Sequence, residues 1–198
     1  MIEACYDKIF DTQRIYRLTL DAMARPGKVN FLPELRLNPP SGLNQAAAAV
    51  ALTLLDSETG FCVLPYDQAI NDYLRFNTSS AVCPINFAEF IIVWGKEKYT
   101  ELREVCSGTL ISPEKGATLI IMVDSLVAAG GGMKLQLSGP GIKDHSFLYI
   151  SGLDKDNIQI ITEMNQEFPL GVDVIYADNA GNVACVPRSS SLRWEVLY

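Results

Sequence analysis

Apolar residues recur at helical spacing in several stretches of the sequence. Ile15, Leu18 and Met23 mark one buried face of the first helix. Asp11 is its predicted N-cap, because a carboxylate can accept hydrogen bonds from the first turn. Pro26 and Gly27 end the pattern, since both residues disfavour continuation of a helix. The predicted helices are Thr12–Ala24, Leu43–Leu55, Gln68–Phe76 and, capped by Asp154, Lys155–Glu167.

Short apolar runs between these helices predict β-strands. Phe90–Val93 and Thr118–Val123 are continuous and rich in Ile and Val, which is typical of central strands covered on both faces. Met133–Ser138 alternates apolar with polar residues and therefore has one wetter face. Gly171–Ala177 and Val183–Val186, joined by turn-forming residues, predict a hairpin. Further strands are predicted at Val29–Leu32, Phe61–Leu64 and Ser191–Leu197, while the pattern of Phe147–Ile150 does not decide its type.

Helices and strands are thus mixed along the chain, with more strands in the second half. This order predicts an α/β fold in which a mixed sheet lies between helical layers. The irregular alternation argues against an all-parallel nucleotide-binding fold. No repeat or long linker divides the 198 residues, so a single domain over 1–198 is predicted.

The net charge is −7, from 16 basic and 23 acidic residues. An acidic chain is a poor general binder of nucleic acid or of an anionic membrane surface, because both present negative charge. No apolar stretch reaches membrane-spanning length, and the first ten residues lack the apolar core of a secretory signal. These features predict a cytoplasmic protein.

The chain has five cysteines and one histidine. The odd number and wide spacing of the cysteines do not fit a disulfide framework, and no Cys-x-x-Cys pair suggests a zinc site. No metal site is therefore predicted, and the cysteines are interpreted as small buried apolar residues. A hydrolase triad would depend on His145 alone, whose polar surroundings favour a solvated loop residue instead.

Two arginines are candidates for binding an anion. Arg188 follows an apolar strand, and Arg75 lies beside aromatic residues; an arginine at such a place can hold a phosphate or phosphonate bidentately. The alternative for each is an ordinary surface ion pair. Carboxylate pairs occur as Glu114 with Asp124 and as Asp173 with Asp178. We take Arg75, Glu114, Asp173 and Arg188 as ligand-binding or interface candidates, and no catalytic residue is predicted.

Several segments, taken in order along the chain, resemble the PhnH family. Members of this family are a subunit of the bacterial carbon–phosphorus (C–P) lyase system. Arg75 is followed by Phe76 and Thr78 as in the family, with Asn77 where histidine is often found. The other segments are Met23-Ala24-Arg25-Pro26-Gly27, Leu52-Thr53-Leu54-Leu55-Asp56, Gly108-Thr109-x3-Pro113-Glu114-x-Gly116-Ala117-Thr118, Leu137-Ser138-Gly139-Pro140-Gly141-Ile142 and Phe168-Pro169-Leu170-Gly171-Val172-Asp173, followed by Val186-Pro187-Arg188.

The resemblance implies a three-layer α/β/α sandwich, similar to the large domain of pyridoxal-phosphate (PLP)-dependent transferases but without PLP. It implies a homodimer that joins the subunits PhnG, PhnI, PhnJ and PhnK, with PhnL acting in the same process. In that complex an alkylphosphonate displaces adenine from MgATP, giving ribose 1-phosphonate 5-triphosphate. The closely spaced cysteines of the iron–sulfur subunit are absent here.

Three functions remain open at this point. The chain is a non-catalytic dimeric subunit of the complex, or it contributes directly to catalysis, or it is a stand-alone protein that binds a small anion such as a phosphonate or nucleotide. The second function requires Arg75, Glu114, Asp173 and Arg188 to meet in one pocket. Because Arg188 lies at a strand exit after Pro187, Arg188→Ala is expected to weaken complex assembly or anion binding without unfolding the chain.

Overall fold

The computed structural model describes residues 3–33, 35–127 and 131–197. Within these residues the chain forms four α-helices, two short 3-10 helices and ten strands. The helices are α1 (Phe10–Ala24), α2 (Gln45–Leu54), α3 (Gln68–Thr78) and α4 (Lys155–Met164), and the 3-10 helices are Thr100–Glu104 and Pro113–Lys115. The strands are β1 (Asn30–Phe31), β2 (Gly60–Leu64), β3 (Ala81–Val82), β4 (Phe90–Trp94), β5 (Thr118–Val123), β6 (Gly132–Ser138), β7 (Ser146–Ile150), β8 (Asp173–Asp178), β9 (Asn182–Val186) and β10 (Ser191–Leu197).

The main sheet is mixed, as the sequence predicts. Its described strands follow the order β1-β9-β8-β5-β4-β2-β3. β3, β2, β4, β5 and β8 run parallel to one another, and β9 is antiparallel to both β8 and β1. The carboxyl ends of the five parallel strands therefore lie along one edge of the sheet, and their amino ends along the other.

Three helices cover one face of this sheet. Ile15 of α1, Val50 of α2 and Leu74 of α3 are buried in one apolar cluster together with Ile92 and Ile120 of the sheet. All five alanines of α2 are buried, which agrees with the prediction of a buried helix. Small side chains let this helix lie close to the strands beneath it.

The opposite face is covered by α4 and by a small antiparallel sheet. Its strands follow the order β10-β6-β7. Leu135 and Leu148 of this sheet pack with Ile161 of α4 against Ile121 and Tyr176 of the main sheet. The mixed α/β architecture is thus confirmed, and the second outer layer is part helix and part sheet.

The beginning of α1 differs from the prediction. The helix starts at Phe10, and Asp7 accepts hydrogen bonds from the N–H groups of Ile9 and Phe10 at 2.8 Å each. Asp11 lies inside the first turn, where its side chain accepts from the Asp7 amide. The predicted cap at Asp11 is therefore wrong, because a carboxylate four residues earlier already satisfies the free amides.

The other helix boundaries agree more closely with the sequence. Asp154 caps α4 as predicted, accepting from the amide of Asp156. The helix ends at Met164 instead of Glu167, because the Asn165 side chain bonds both the amide and the carbonyl of Val172 and turns the chain back. The undecided segment at 147–150 is a strand. None of the helices in the described ranges is long and apolar enough to cross a membrane.

Candidate functional site

Arg188 lies at the amino edge of the parallel strands, where three segments of the chain meet. Antiparallel pairing of β8 with β9 brings Asp173, the first residue of β8, next to Arg188. The Arg188 amide donates to Asp173 Oδ1 at 2.8 Å, and Nε and Nη2 donate to Oδ2 at 3.1 and 2.6 Å. Nη1 and Nη2 also donate to the carbonyls of Pro113 and Gly116 at 2.7 and 3.0 Å. We call these four residues the Arg188 cluster.

The cluster uses most of the hydrogen-bonding capacity of the guanidinium. Four of its side-chain hydrogen bonds are made within the chain, out of five N–H donors. The Arg188 side chain is only 13% exposed. A Cβ atom on Gly116 would collide with the guanidinium and with the Gly171 carbonyl. Arg188 therefore holds the turn at 113–116 against the sheet. Its guanidinium has no pair of free N–H groups that could bind a phosphonate bidentately.

The other two candidates do not join Asp173 and Arg188 in one pocket. Glu114 lies in the 3-10 helix whose first carbonyl accepts from Arg188, but its own side chain is exposed and has no bonding partner among the described residues. Arg75 pairs with Asp72 on α3, and its side chain is 61% exposed. Four strand spacings separate β9 from β2, beneath α3, which is about 19 Å.

The carboxylate pairs and His145 also fail to converge. Asp173 and Asp178 begin and end the same strand, about 17 Å apart. Glu114 and Asp124 likewise lie before and after β5. His145 is exposed in the loop before β7, as its polar surroundings predict. No group of three or more potential metal ligands occurs within the part of the chain that the structure describes.

Asp178 has a structural role that the sequence does not reveal. Its side chain is completely buried. One oxygen accepts from the amides of Ala180 and Asn182, and the other accepts from the Leu126 amide and from Asn182 Nδ2. The carboxylate thereby holds the β8–β9 turn and the loop after β5 together.

A crevice that the sequence analysis did not identify opens at the carboxyl edge of the sheet. Its volume is about 400 Å³. It is lined by residues 42–44 before α2, by residues 94–97 and 122–124 at the ends of β4 and β5, and by Asn179. This edge is where open α/β sheets usually bind ligands. Gly42 before the α2 cap and Gly95 directly after an apolar strand are the signals that could have indicated it.

The groups in this crevice are largely bonded to one another. Lys96 Nζ lies 2.8 Å from Asp124 Oδ2. The Asn44 side chain caps α2 and donates to the Ala177 carbonyl, and the Trp94 indole donates to the Gly42 carbonyl. Asp124 offsets the charge of Lys96, so the crevice is a weak anion site as it stands.

An apolar groove runs along α1 on the helical face of the main sheet. It has a volume of about 200 Å³ and is lined by Tyr16, Leu20 and Met23 of α1 together with Leu54, Phe90 and Ile175, with only Thr19 and Thr118 as polar residues. Tyr16 and Leu20 are about half exposed, at 49% and 52%. We call this surface the α1 groove. Exposed apolar residues that lie side by side can form an association site.

Comparison with known proteins identifies the family of the chain. The model of the family described as bacterial phosphonate metabolism protein (PhnH) matches residues 3–193. The chain belongs to the PhnH family. One relative is the alpha-D-ribose 1-methylphosphonate 5-triphosphate synthase subunit PhnH of Rhizobium meliloti (strain 1021), which is 28% identical over 96% of this chain and 94% of its own length. Another is HtxG of Stutzerimonas stutzeri, named as a C-P lyase subunit, which is 31% identical over 91% of this chain and 85% of its own length.

The Arg188 cluster is formed by segments that carry the resemblance to the PhnH family. The segments at 108–120 and 168–188 are two of those that carry the family resemblance in the sequence. In the structure they meet in the cluster, since Pro113 and Gly116 come from the first and Asp173 and Arg188 from the second. These PhnH-like residues therefore hold the fold together at this point.

Proposed function

We propose that this PhnH-family chain is a dimeric, non-catalytic subunit of a C–P lyase complex. It serves the step in which an alkylphosphonate displaces adenine from MgATP to give ribose 1-phosphonate 5-triphosphate. The names of the two relatives support this, since one is a 5-triphosphate synthase subunit and the other a C-P lyase subunit. Its proposed partners are PhnG, PhnI, PhnJ and PhnK in the cytoplasm, with PhnL acting in the same process.

The observation that carries the non-catalytic role is the internal use of Arg188 and Asp173. Their side chains are 13% and 25% exposed and bond to each other and to backbone carbonyls. A residue that holds the fold in this way is poorly placed to grip a substrate that must enter and leave. We propose accordingly that MgATP is bound by the complex and that this chain carries no PLP or other cofactor.

The α1 groove supports the dimeric part of the proposal. Tyr16, Leu20 and Met23 follow one face of α1, at intervals of four and three residues. A stripe with this spacing is typical of helices that pack against a second helix. A second copy of the chain can present the same stripe across a two-fold axis, as symmetric dimers require. We therefore propose the α1 groove as the self-association surface.

Co-expression with PhnG, PhnI and PhnJ followed by native mass spectrometry tests the subunit role. We expect a stable heteromer that contains this chain. A chain that remains apart from these partners would contradict the subunit role.

Sedimentation of the isolated chain tests the dimer. Leu20→Glu places a charge in the α1 groove and is expected to raise the dimer dissociation constant at least tenfold, about 1.4 kcal/mol. Arg14→Glu is the matched control, because Arg14 is exposed about 160° around the same helix from Tyr16. Equal effects of the two substitutions would argue against the groove.

A second candidate function, binding of a small anion by the isolated chain, is favoured only by the crevice at the carboxyl edge. Calorimetric titration of the chain with methylphosphonate and with MgATP tests it, and measurable heat from either alone would support this candidate.

Because both apolar clusters pack on one sheet, we also propose that residues 1–198 act as one domain. The similarity of this domain to the PLP-dependent transferases stays a prediction.

A further inference from the structure

Cys62 and Cys83 occupy neighbouring positions at one edge of the main sheet. β2 and β3 pair in parallel, with Phe61 opposite Val82. The Cys83 amide donates to the Phe61 carbonyl at 2.8 Å. This bond continues the ladder one residue beyond β3 and places Cys83 beside Cys62.

The two side chains point to the same face of the sheet. Both are partly buried and pack against the apolar cluster that includes α4 and the small sheet. Adjacent strands lie about 4.8 Å apart, and disulfides form between residues whose Cα atoms are about 4.4–6.8 Å apart. The backbone therefore already has a separation that a disulfide requires.

The Cys83 thiol rests in a pocket left by a glycine. Its Sγ lies 2.7 Å from the position that a Cβ on Gly60 would take, and 3.6 Å from the Ala81 carbonyl. Rotation about the first side-chain torsion, between staggered positions, swings Sγ away from Gly60. Burial raises the pKa of the Cys62 thiol, and the neighbouring Cys83 raises it further, as expected of two thiols close together.

We propose that Cys62 and Cys83 form a dithiol site that closes reversibly into a disulfide by exchange with a low-molecular-weight disulfide. A thiolate of the pair attacks the external disulfide, forming a mixed disulfide and releasing one thiol. The second thiolate then displaces the other half as a second thiol, and the protons of the pair pass to these leaving groups through solvent. The two-electron oxidation of the pair is balanced by reduction of the external disulfide.

The remaining cysteines of the chain are placed differently. Cys5 is exposed, Cys106 is partly exposed, and Cys185 is buried with its thiol donating to the Thr19 carbonyl. Within the described residues, none of them lies opposite another cysteine in a strand ladder. Closure is therefore specific to the pair at 62 and 83, and it would link the two ends of the segment that contains α3.

Oxidation of the reduced full-length chain with glutathione disulfide, followed by alkylation and peptide mapping, tests the site. We expect loss of two of the five alkylatable thiols, one peptide pair linked through Cys62 and Cys83, and full recovery with dithiothreitol. Cys62→Ser and Cys83→Ser should each leave a persistent glutathione adduct on the remaining cysteine of the pair. Cys5→Ser and Cys106→Ser are matched controls and should retain the linked peptides.

The wild-type peptide map decides the proposal even if one of the variants does not fold. Glutathione adducts on Cys62 or Cys83 without ring closure would overturn it. Links between other cysteines, or five thiols that all remain free after prolonged oxidation, would overturn it as well.

Discussion

Replacing Arg188 by alanine tests whether the Arg188 cluster holds the fold together. The change removes four side-chain hydrogen bonds and leaves the Asp173 carboxylate without its cation. Breaking a fully buried ion pair costs about 3–5 kcal/mol. The Asp173 side chain is 25% exposed, so water compensates part of this loss. We expect the free energy of unfolding to fall by about 3 kcal/mol, out of the usual total of about 5–15 kcal/mol.

Urea denaturation of the full chain, followed by circular dichroism, measures this loss as a lower midpoint with an unchanged slope. Arg75→Ala is the matched control, because Arg75 has one exposed ion pair with Asp72 and should lose less than about 0.5 kcal/mol. Arg188→Lys should recover only part of the loss, since an ammonium cannot reproduce the bidentate contact with Asp173.

A decrease below about 1 kcal/mol for Arg188→Ala would refute this reasoning, because it would fall within the range of an ordinary exposed pair. The expected result differs from the one inferred from the sequence, where Arg188→Ala weakens assembly without unfolding. Loss of complex assembly at unchanged stability would restore that earlier interpretation.

Two further predictions concern carboxylates. Asp178→Ala leaves the amides of Leu126 and Asn182 without their acceptor in a buried site. The free energy of unfolding obtained from urea denaturation should therefore fall by about 3 kcal/mol or more. A decrease below about 1 kcal/mol would contradict the structural role of Asp178. The hydrogen bond from Lys28 is the main cause that holds the pKa of Asp21 below its usual value. Asp21 therefore stabilises the fold above its unfolded-state pKa, and this contribution is lost as the pH falls through the folded pKa. Lys28→Met should raise the Asp21 pKa seen by carboxyl NMR and lower stability at pH 7 but not at about pH 2; an unchanged pKa would contradict the assignment.

The sequence predicts the elements of the fold better than their arrangement. The runs that form β4 and β5 are continuous and apolar, and their ends are placed within one residue. β3 is only two residues long and exposed, so no local pattern indicates it. The pairing of β6 with β10 joins segments more than fifty residues apart, and no local propensity encodes that order.

In the candidate site, too, the sequence predicts the elements better than the contacts between them. The predicted hairpin of β8 and β9 already places Asp173 near Arg188, so their pairing could have been inferred from the sequence. The carbonyls of Pro113 and Gly116 could not, because backbone acceptors carry no sequence signal. Those two carbonyls complete the enclosure of the guanidinium.

The Arg188 cluster also has a consequence for the order of folding. Arg188 bonds to Asp173 across 15 positions of the chain and to Pro113 across 75. The bond to Pro113 can form only after β5, β8 and β9 have assembled, and it is expected to be weak in the transition state. Substitutions in the cluster should therefore accelerate unfolding far more than they slow folding. The ion pair is therefore expected to stabilise the native state mainly by slowing its unfolding.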